Sequence, residues 1–325
     1  MANEYIGRRS SFGLAKETTA GTAGATYTYI PMEKVSFQPV PEKIRDGSSY
    51  GVIDENYSSI TVKQMTELET EGIARELSIG HILLAAFGTV AAPSLVETGV
   101  YSHAFTRKND NSPVTYTVGN SNPVGGERST YNVLDTFELE AKAADYVRVK
   151  TKWKGRKIET GISLTPAFTD ENLFTGVGVV VKFASNLAWL TGATAVSLKS
   201  ARLSIEKNVT DVVTLGSDDV DTLHNQQFSV TGEFEAIFRD LTFLDAVRNS
   251  TKQAMSITIA GKDLIGATKK AELKFTMPRV SLEDWKRSDD ANGIVTQTFG
   301  FVAEFSAADA MTINAALQNS RATTY

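Results

Sequence analysis

Glu67, Glu69 and Glu71 alternate through the stretch ELETEG, and paired carboxylates are the working acid and base of glycoside cleavage. On a strand every second residue shares a face. These three therefore point one way, with no opposing carboxylate to close a cleft around a substrate, and a solvated strand face is the competing reading. Asp218, Asp219 and Asp221 in SDDVDTLHN come near calcium-loop spacing but lack the loop's glycine and its bidentate glutamate, so they read as an exposed acidic loop. His81, His103 and His224 are scattered and cysteine is absent. Thiolate nucleophiles, disulfides and cysteine-based zinc or iron–sulfur sites are excluded on that ground. GTAGAT (21–26) has neither the spacing nor the terminal Lys-Ser/Thr of a phosphate loop, and GVGVVV (176–181) lacks the third glycine of a dinucleotide fingerprint. There is no GxSxG elbow, HExxH pair or kinase motif set. The expectation is a protein that is not an enzyme and that uses no metal and no cofactor.

The composition narrows the class further. The chain has 325 residues, 42% of them apolar, enough for two ordinary domains or one large β architecture. A net charge of −5 argues against a dedicated nucleic-acid binder. The one cationic run, KTKWKGRK at 150–157, reads as a solvated strand pair and its turn. MANEYIGRRS lacks the apolar stretch of a signal peptide, and the longest apolar window, IGHILLAAFG at 79–88, is too short to span a bilayer. A soluble protein made and kept in a cytoplasm, with no membrane contact, is expected.

Period-two patterning predicts long, frequent strands near 32–38, 58–74, 99–106, 113–119, 131–142 and 145–158, then 177–184, 195–206, 225–238, 253–260, 270–283 and 293–305. Two helices stand among them. SIGHILLAAFG runs from a capping Ser78 to Gly88, and DLTFLDAVRNS runs from a capping Asp240 to Asn249. A shift of 162 residues lays one helix and its preceding strand over the other, placing Glu71 on Glu233, Ala74 on Ala236 and Ile82 on Leu244, while EKVSFQP (33–39) matches ARLSIEK (201–207). The spacing predicts an N-terminal assembly arm (1–30), a first β unit (31–165), a linker or crossover (166–194), a second unit of similar plan (195–306) and a C-terminal arm (307–325). The Gly/Thr-rich stretch FGLAKETTAGTAGATYTYIP (12–31) cannot build a core of its own, so it is expected to order against a neighbouring subunit.

The residues then meet a known family. FGLAKETTAGTAGATYTYIPMEKVSFQPVPEKIRDGSSYGVID, with its Gly-x-x-Lys-Glu-Thr-x-x-Gly-Thr arm, first strand and Glu-Lys-Ile loop, resembles the start of tail tube proteins of long-tailed bacteriophages. ITVKQMTELETEGIARELSIGHILLAAFG is similar to the family's lumen strand and helix. The match covers residues 12–90, and beyond that the resemblance is one of plan. It implies a mainly β fold, a β-sandwich/barrel unit with one flanking helix, here in two tandem tube-like units. It further implies a structural virion protein that polymerises into stacked rings, the conduit for genome delivery. A tail terminator, a capsid decoration protein or another virion adhesion module is the alternative.

Such rings hold six units, so two units per chain imply a homotrimer with pseudo-sixfold symmetry, a homohexamer being the runner-up. Six four-stranded contributions would close about 24 strands around an open bore. The bore face would carry Glu67, Glu69 and Glu71 from the first unit and Gln227, Ser229, Thr231 and Glu233 from the second, an acidic lining that repels passing double-stranded DNA. Ile60, Val62, Leu68, Phe228, Val230 and Phe234 would pack on the other face. In the long loop 41–59, Lys43, Ile44, Asp46, Tyr50, Val52 and Ile53 would contact the next ring. The implied partners are further copies of the chain, a tape-measure protein and terminator or distal-tail proteins, with assembly in the host bacterial cytoplasm and a final place in the virion tail.

Overall fold

A computed structural model describes residues 4–289 and 291–325. Two short strands, β1 (Ser11–Lys16) and β2 (Thr28–Ile30), precede a long hairpin of β3 (Lys34–Asp46) and β4 (Ser58–Ile73) that leads to α1 (Ile79–Phe87). Next come β5 (Gly88–Val90), β6 (Ser94–Glu97), β7 (Val100–Arg107), β8 (Tyr116–Asn122), β9 (Gly125–Lys142), β10 (Arg148–Gly155) and β11 (Glu159–Ile162). The second half holds β12 (Val179–Ala184), β13 (Leu198–Glu206), the small hairpin β14 (Val209–Val212) and β15 (Thr222–Asn225), β16 (Ser229–Ile237) and α2 (Thr242–Arg248). It closes with β17 (Gln253–Leu264), β18 (Lys270–Ser288), β19 (Thr296–Ala303) and β20 (Asn314–Asn319).

Every strand pairing between these elements is antiparallel, and the largest sheet runs β3-β4-β10-β9-β13-β16-β19-β18. Its buried side packs against a second sheet, β12-β17-β18-β20-β7, with β5 and β6 on the far side of β7. A third sheet, β2-β1-β8-β9-β11, flanks them. Two long strands each serve two sheets. β9 changes sheet near Tyr131, whose φ of 55° marks the corner, and β18 changes sheet around Pro278, where a missing N–H ends regular pairing. Leu68, Trp153, Phe137, Phe234, Phe275, Phe299 and Phe301 are all buried in one continuous core.

The alternation of large apolar residues explains why the predicted strands and both helices stand where the sequence puts them. Their caps are partly different. Gly88 ends α1 with φ 90°, its N–H reaching Leu84. At the other end Ser78 makes no side-chain cap; the Glu171 carboxylate accepts the N–H groups of Leu77 and Ser78 at 2.9 and 2.7 Å, an anion at the positive end of the helix. At α2 the cap position is Leu241, which makes no side-chain cap; Asp240, one residue earlier, accepts the Thr242 N–H at 3.0 Å.

The assembly arms and the linker are corrected. β1 lies between β2 and β8 with Phe12, Leu14 and Ala15 buried, and β20 fills the gap between β18 and β7 with Ala315 and Leu317 buried. Both segments belong to the chain's own sandwich, because their few apolar residues need only complete a core that distant strands supply. The polar loop after β1 is tied down by Glu17, which accepts from Gly21 N, Thr117 Oγ1 and Tyr131 N. Residues 166–194 are integral too: Phe174 is buried and β12 pairs along β17.

Tyr325 is buried against α1, its hydroxyl donating to Leu77 O at 2.8 Å and its ring meeting His81 and His103 edge-on. A Cβ on Gly80 would lie 2.1 Å from that ring. Gly80→Ala is therefore expected to destabilise the fold by about 1–3 kcal/mol, outweighing the gain in helix propensity. Urea unfolding checks this, and unchanged or raised stability would mean that Tyr325 yields freely.

Candidate functional site

The eight-stranded sheet has one solvent face, and its order repeats. Lys34 stands opposite Glu71 in the β3–β4 pair, and Arg202 stands opposite Glu233 in the β13–β16 pair. Moving β3 on by 168 positions (34 to 202) and β4 by 162 (71 to 233) also carries Ser36–Glu69 onto Ser204–Thr231 and Phe37–Leu68 onto Ile205–Val230. The correspondence continues inward. Lys150 faces Glu71 on one side and Glu138 on the other; Gly300 faces Glu233 and Glu283 in the same way. The sheet is thus a quartet, β3-β4-β10-β9, followed by a second quartet in the same order, β13-β16-β19-β18.

The seam between quartets is β9 against β13, with Thr136–Lys142 lying opposite Glu206–Ser200. Among the described residues, β3 and the 281–288 stretch of β18 have a sheet neighbour on one side only. Those are the counterparts of β13 and β9. The open edges are therefore the positional counterparts of the seam closed inside the chain, and on β18 the match covers Ser281–Glu283, ahead of the bulge there.

The predicted face residues come together with one exception. Glu67, Glu69 and Glu71 point to solvent from β4, and Ser229, Thr231 and Glu233 do so from β16. Gln227 precedes β16, in the break between it and β15, and lies off the face. On the expected packing face Leu68, Val230 and Phe234 are buried and Val62 and Phe228 half-buried, while Ile60 is 64% exposed because β4 runs out past the sheet there.

The face expected to be polar or acidic carries cations as well. Glu71, Glu69 and Glu67 stand opposite Lys150, Lys152 and Lys154. Lys152 and Glu69 approach to 2.8 Å, and Lys150 lies within 3.9 Å of Glu71, Glu138 and Glu140. Arg202 reaches Glu138 at 2.5 Å, and Arg148 pairs with Glu33. The contact from Lys152 holds Glu69 below the usual carboxylate range, and Lys142, ahead of Lys150, does the same for Glu140. The face is a lattice of alternating charge. Its cationic half was present in the sequence as KTKWKGRK, whose period matches ELETEG; pairing the two runs in register would have revealed it.

The hairpins project from one end of this sheet, since β3 and β13 run in the same direction. At the β3–β4 tip Lys43, Ile44, Tyr50, Val52 and Ile53 are exposed, with Ile53 fully so. Within its own loop Asp46 accepts from Ser48 N at 2.9 Å and from the Tyr50 hydroxyl at 2.7 Å, while Tyr50 stacks on Tyr57. Those contacts, Ser48 first, lower the Asp46 pKa.

A family model described as phage tail tube protein matches residues 7–303. The chain belongs to the phage tail tube protein family. It is accordingly a structural protein of the phage virion tail, and its mainly β architecture agrees with that family's sandwich fold. A comparison with individual curated proteins gives no match.

Sequence reasoning missed Lys207, which follows β13 directly and reaches back to α1. Its ammonium is buried, donates to Ala85 O at 2.8 Å and so satisfies a carbonyl at the C-terminal end of α1; burial pulls its pKa down to about 7 against the opposing pull of Asp135. Among the described residues no group of three or more His, Asp or Glu could hold a metal ion, and no helix is long and apolar enough to cross a membrane.

Proposed function

We propose that three copies of this chain close into a ring with pseudo-sixfold symmetry, and that these rings stack into the tube through which the phage genome leaves the virion. The observation that carries the reading is the doubled quartet. A seam that joins quartet to quartet within the chain can be repeated between chains, β18 of one copy against β3 of the next. Shifting the internal seam by the quartet correspondence sets Ser36 opposite Glu283 and Gln38 opposite Ser281 of a neighbouring copy. Pro39 and Pro41 lie immediately beyond that span, and proline on an edge strand stops further pairing. Two tandem units then equal two of the six positions in a ring, and three chains contribute about 24 strands, a size that leaves an open bore.

Glu67, Glu69, Glu71, Ser229, Thr231 and Glu233 line the bore in this reading, together with their lysine partners. Paired charges leave few free cations to hold phosphates, so DNA would slide without being gripped. Lys43, Ile44, Tyr50, Val52 and Ile53 on the β3–β4 hairpin would contact the next ring. The tube would form in the host bacterial cytoplasm around a tape-measure protein and be closed by terminator and distal-tail proteins.

Negative-stain electron microscopy of the purified protein tests this directly. Hollow stacked rings with six inner units and three outer lobes are expected. Compact single particles under all assembly conditions would overturn the ring reading and favour a terminator or decoration role within the tail.

A further inference from the structure

The β14–β15 hairpin is the second quartet's version of the β3–β4 tip. In the first hairpin a bulge after Glu42 changes the register, and beyond it Lys43 faces Thr61 and Ile44 faces Ile60. The same two shifts, 168 and 162, turn these pairs into Asp211–Leu223 and Val212–Thr222, which are the pairs observed. Beyond that bulge the two hairpins therefore share one register, although the second is shorter and detached from its parent strands.

The second hairpin has one buried side and one bare side. Val209, Val220 and Leu223 are buried against Met65, Tyr131 and Val133. Lys63 pairs with Asp211 at 2.5 Å, and Arg156 donates to the Val220 and Asp221 carbonyls at 2.9 and 2.7 Å. The loop is thus held in place. Its outer side still presents Val212, Val213 and a fully exposed Leu215, at the position where the first hairpin presents Ile44 and the loop beyond it. Apolar side chains held out in the same place by both quartets, on a protein that folds without using them, point to a partner that meets both.

The opposite end of the same sheet carries the complement. The β9–β10 turn exposes Tyr146, 43% accessible, and the β18–β19 connection exposes Ile294, 78% accessible. These two turns are themselves counterparts under the quartet repeat. A molecule with apolar prongs at one end and apolar turns at the other, in matching number, fits a second copy of itself placed head to tail, an arrangement that does not close and so propagates.

Building on the tube reading, we infer that Val212, Val213 and Leu215 form a second stacking contact, seated on Tyr146 or Ile294 of the chain in the next ring. Each ring then offers six prongs, three long and three short, and the pseudo-sixfold symmetry extends to the ring–ring interface.

The full-length double variant Val213→Asp/Leu215→Asp tests this. Rings of three chains by light scattering, with at least a tenfold smaller fraction of protein in sedimenting tubes, is the expected result; wild-type tube yield would overturn the inference. Because the chain has no cysteine, crosslinking gives a second measurement should that variant fold poorly. Leu215→Cys combined with Tyr146→Cys, or with Ile294→Cys, should give a disulfide ladder beyond three chains in at least one pairing. If neither pairing ladders while the wild type still forms tubes, the second prong is wrong and the tube reading stands. If the wild type forms neither rings nor tubes, the tube reading falls and takes this contact with it.

Discussion

Proline placed at Val35 or at Ser36 is expected to turn three-chain rings into monomers in one of the two variants. Backbone N–H groups of successive strand residues point to alternate sides, so one of these adjacent positions directs its N–H toward β4 and the other toward the open edge. Proline at the inward position breaks the β3–β4 ladder and damages the fold. At the outward position it leaves that ladder whole and removes a donor from the joint with the neighbouring chain. An unsatisfied buried partner costs about 1–3 kcal/mol. With three joints per ring, the assembly constant should fall at least roughly a hundredfold. Light scattering on the variant that keeps its wild-type circular dichroism decides the matter. Intact rings from both folded variants would remove β3 from the interface.

Replacing residues 47–57 with Asn-Gly is expected to leave rings intact and abolish tubes. Asp46 and Ser58 are opposite one another in the register, so a two-residue turn can join them without moving either strand. The replacement removes Tyr50, Val52, Ile53 and Tyr57, all exposed and none needed by the core. If Val52 and Ile53 alone contribute about 1 kcal/mol each in three hairpins, ring stacking weakens by about 6 kcal/mol, or roughly ten-thousandfold. Sedimentation of tubes together with thermal unfolding checks both halves of the expectation. Tubes of ordinary length would place the stacking contact elsewhere.

Much of the fold was legible because its signals are local. Glu67 to Leu68 to Glu69 alternates as a strand with one wet face must, and Ser78 to Gly88 is too apolar and too well ended to be anything but a buried helix. The 162-residue offset was visible in few identities, yet it proved to be the register shift of β4 onto β16. Where the reading failed, the missing information was long-range. β1 looks coreless because Phe12 and Leu14 find their partners about a hundred residues away, across β8. Ala315 and Leu317 likewise belong to a strand that β18 and β7 complete. Ser78 has the right type for a cap, but Glu171, from a segment resembling a linker, reached the helix end first.

The charged face of the eight-stranded sheet shows the same division. From ELETEG alone the face is acidic; beside KTKWKGRK it is a charge lattice, and nothing in either run states that they are neighbours. By itself the sequence determined the strand periods, the two helices, the internal repeat and the family, since each is written in residues close together or in a fixed offset. Only the tertiary structure decided which strands are adjacent, that β1 and β20 lie inside the sandwich, and which edges are left open. Those depend on pairings between distant segments, where backbone hydrogen bonds and apolar burial reward contact without leaving a mark in the intervening sequence.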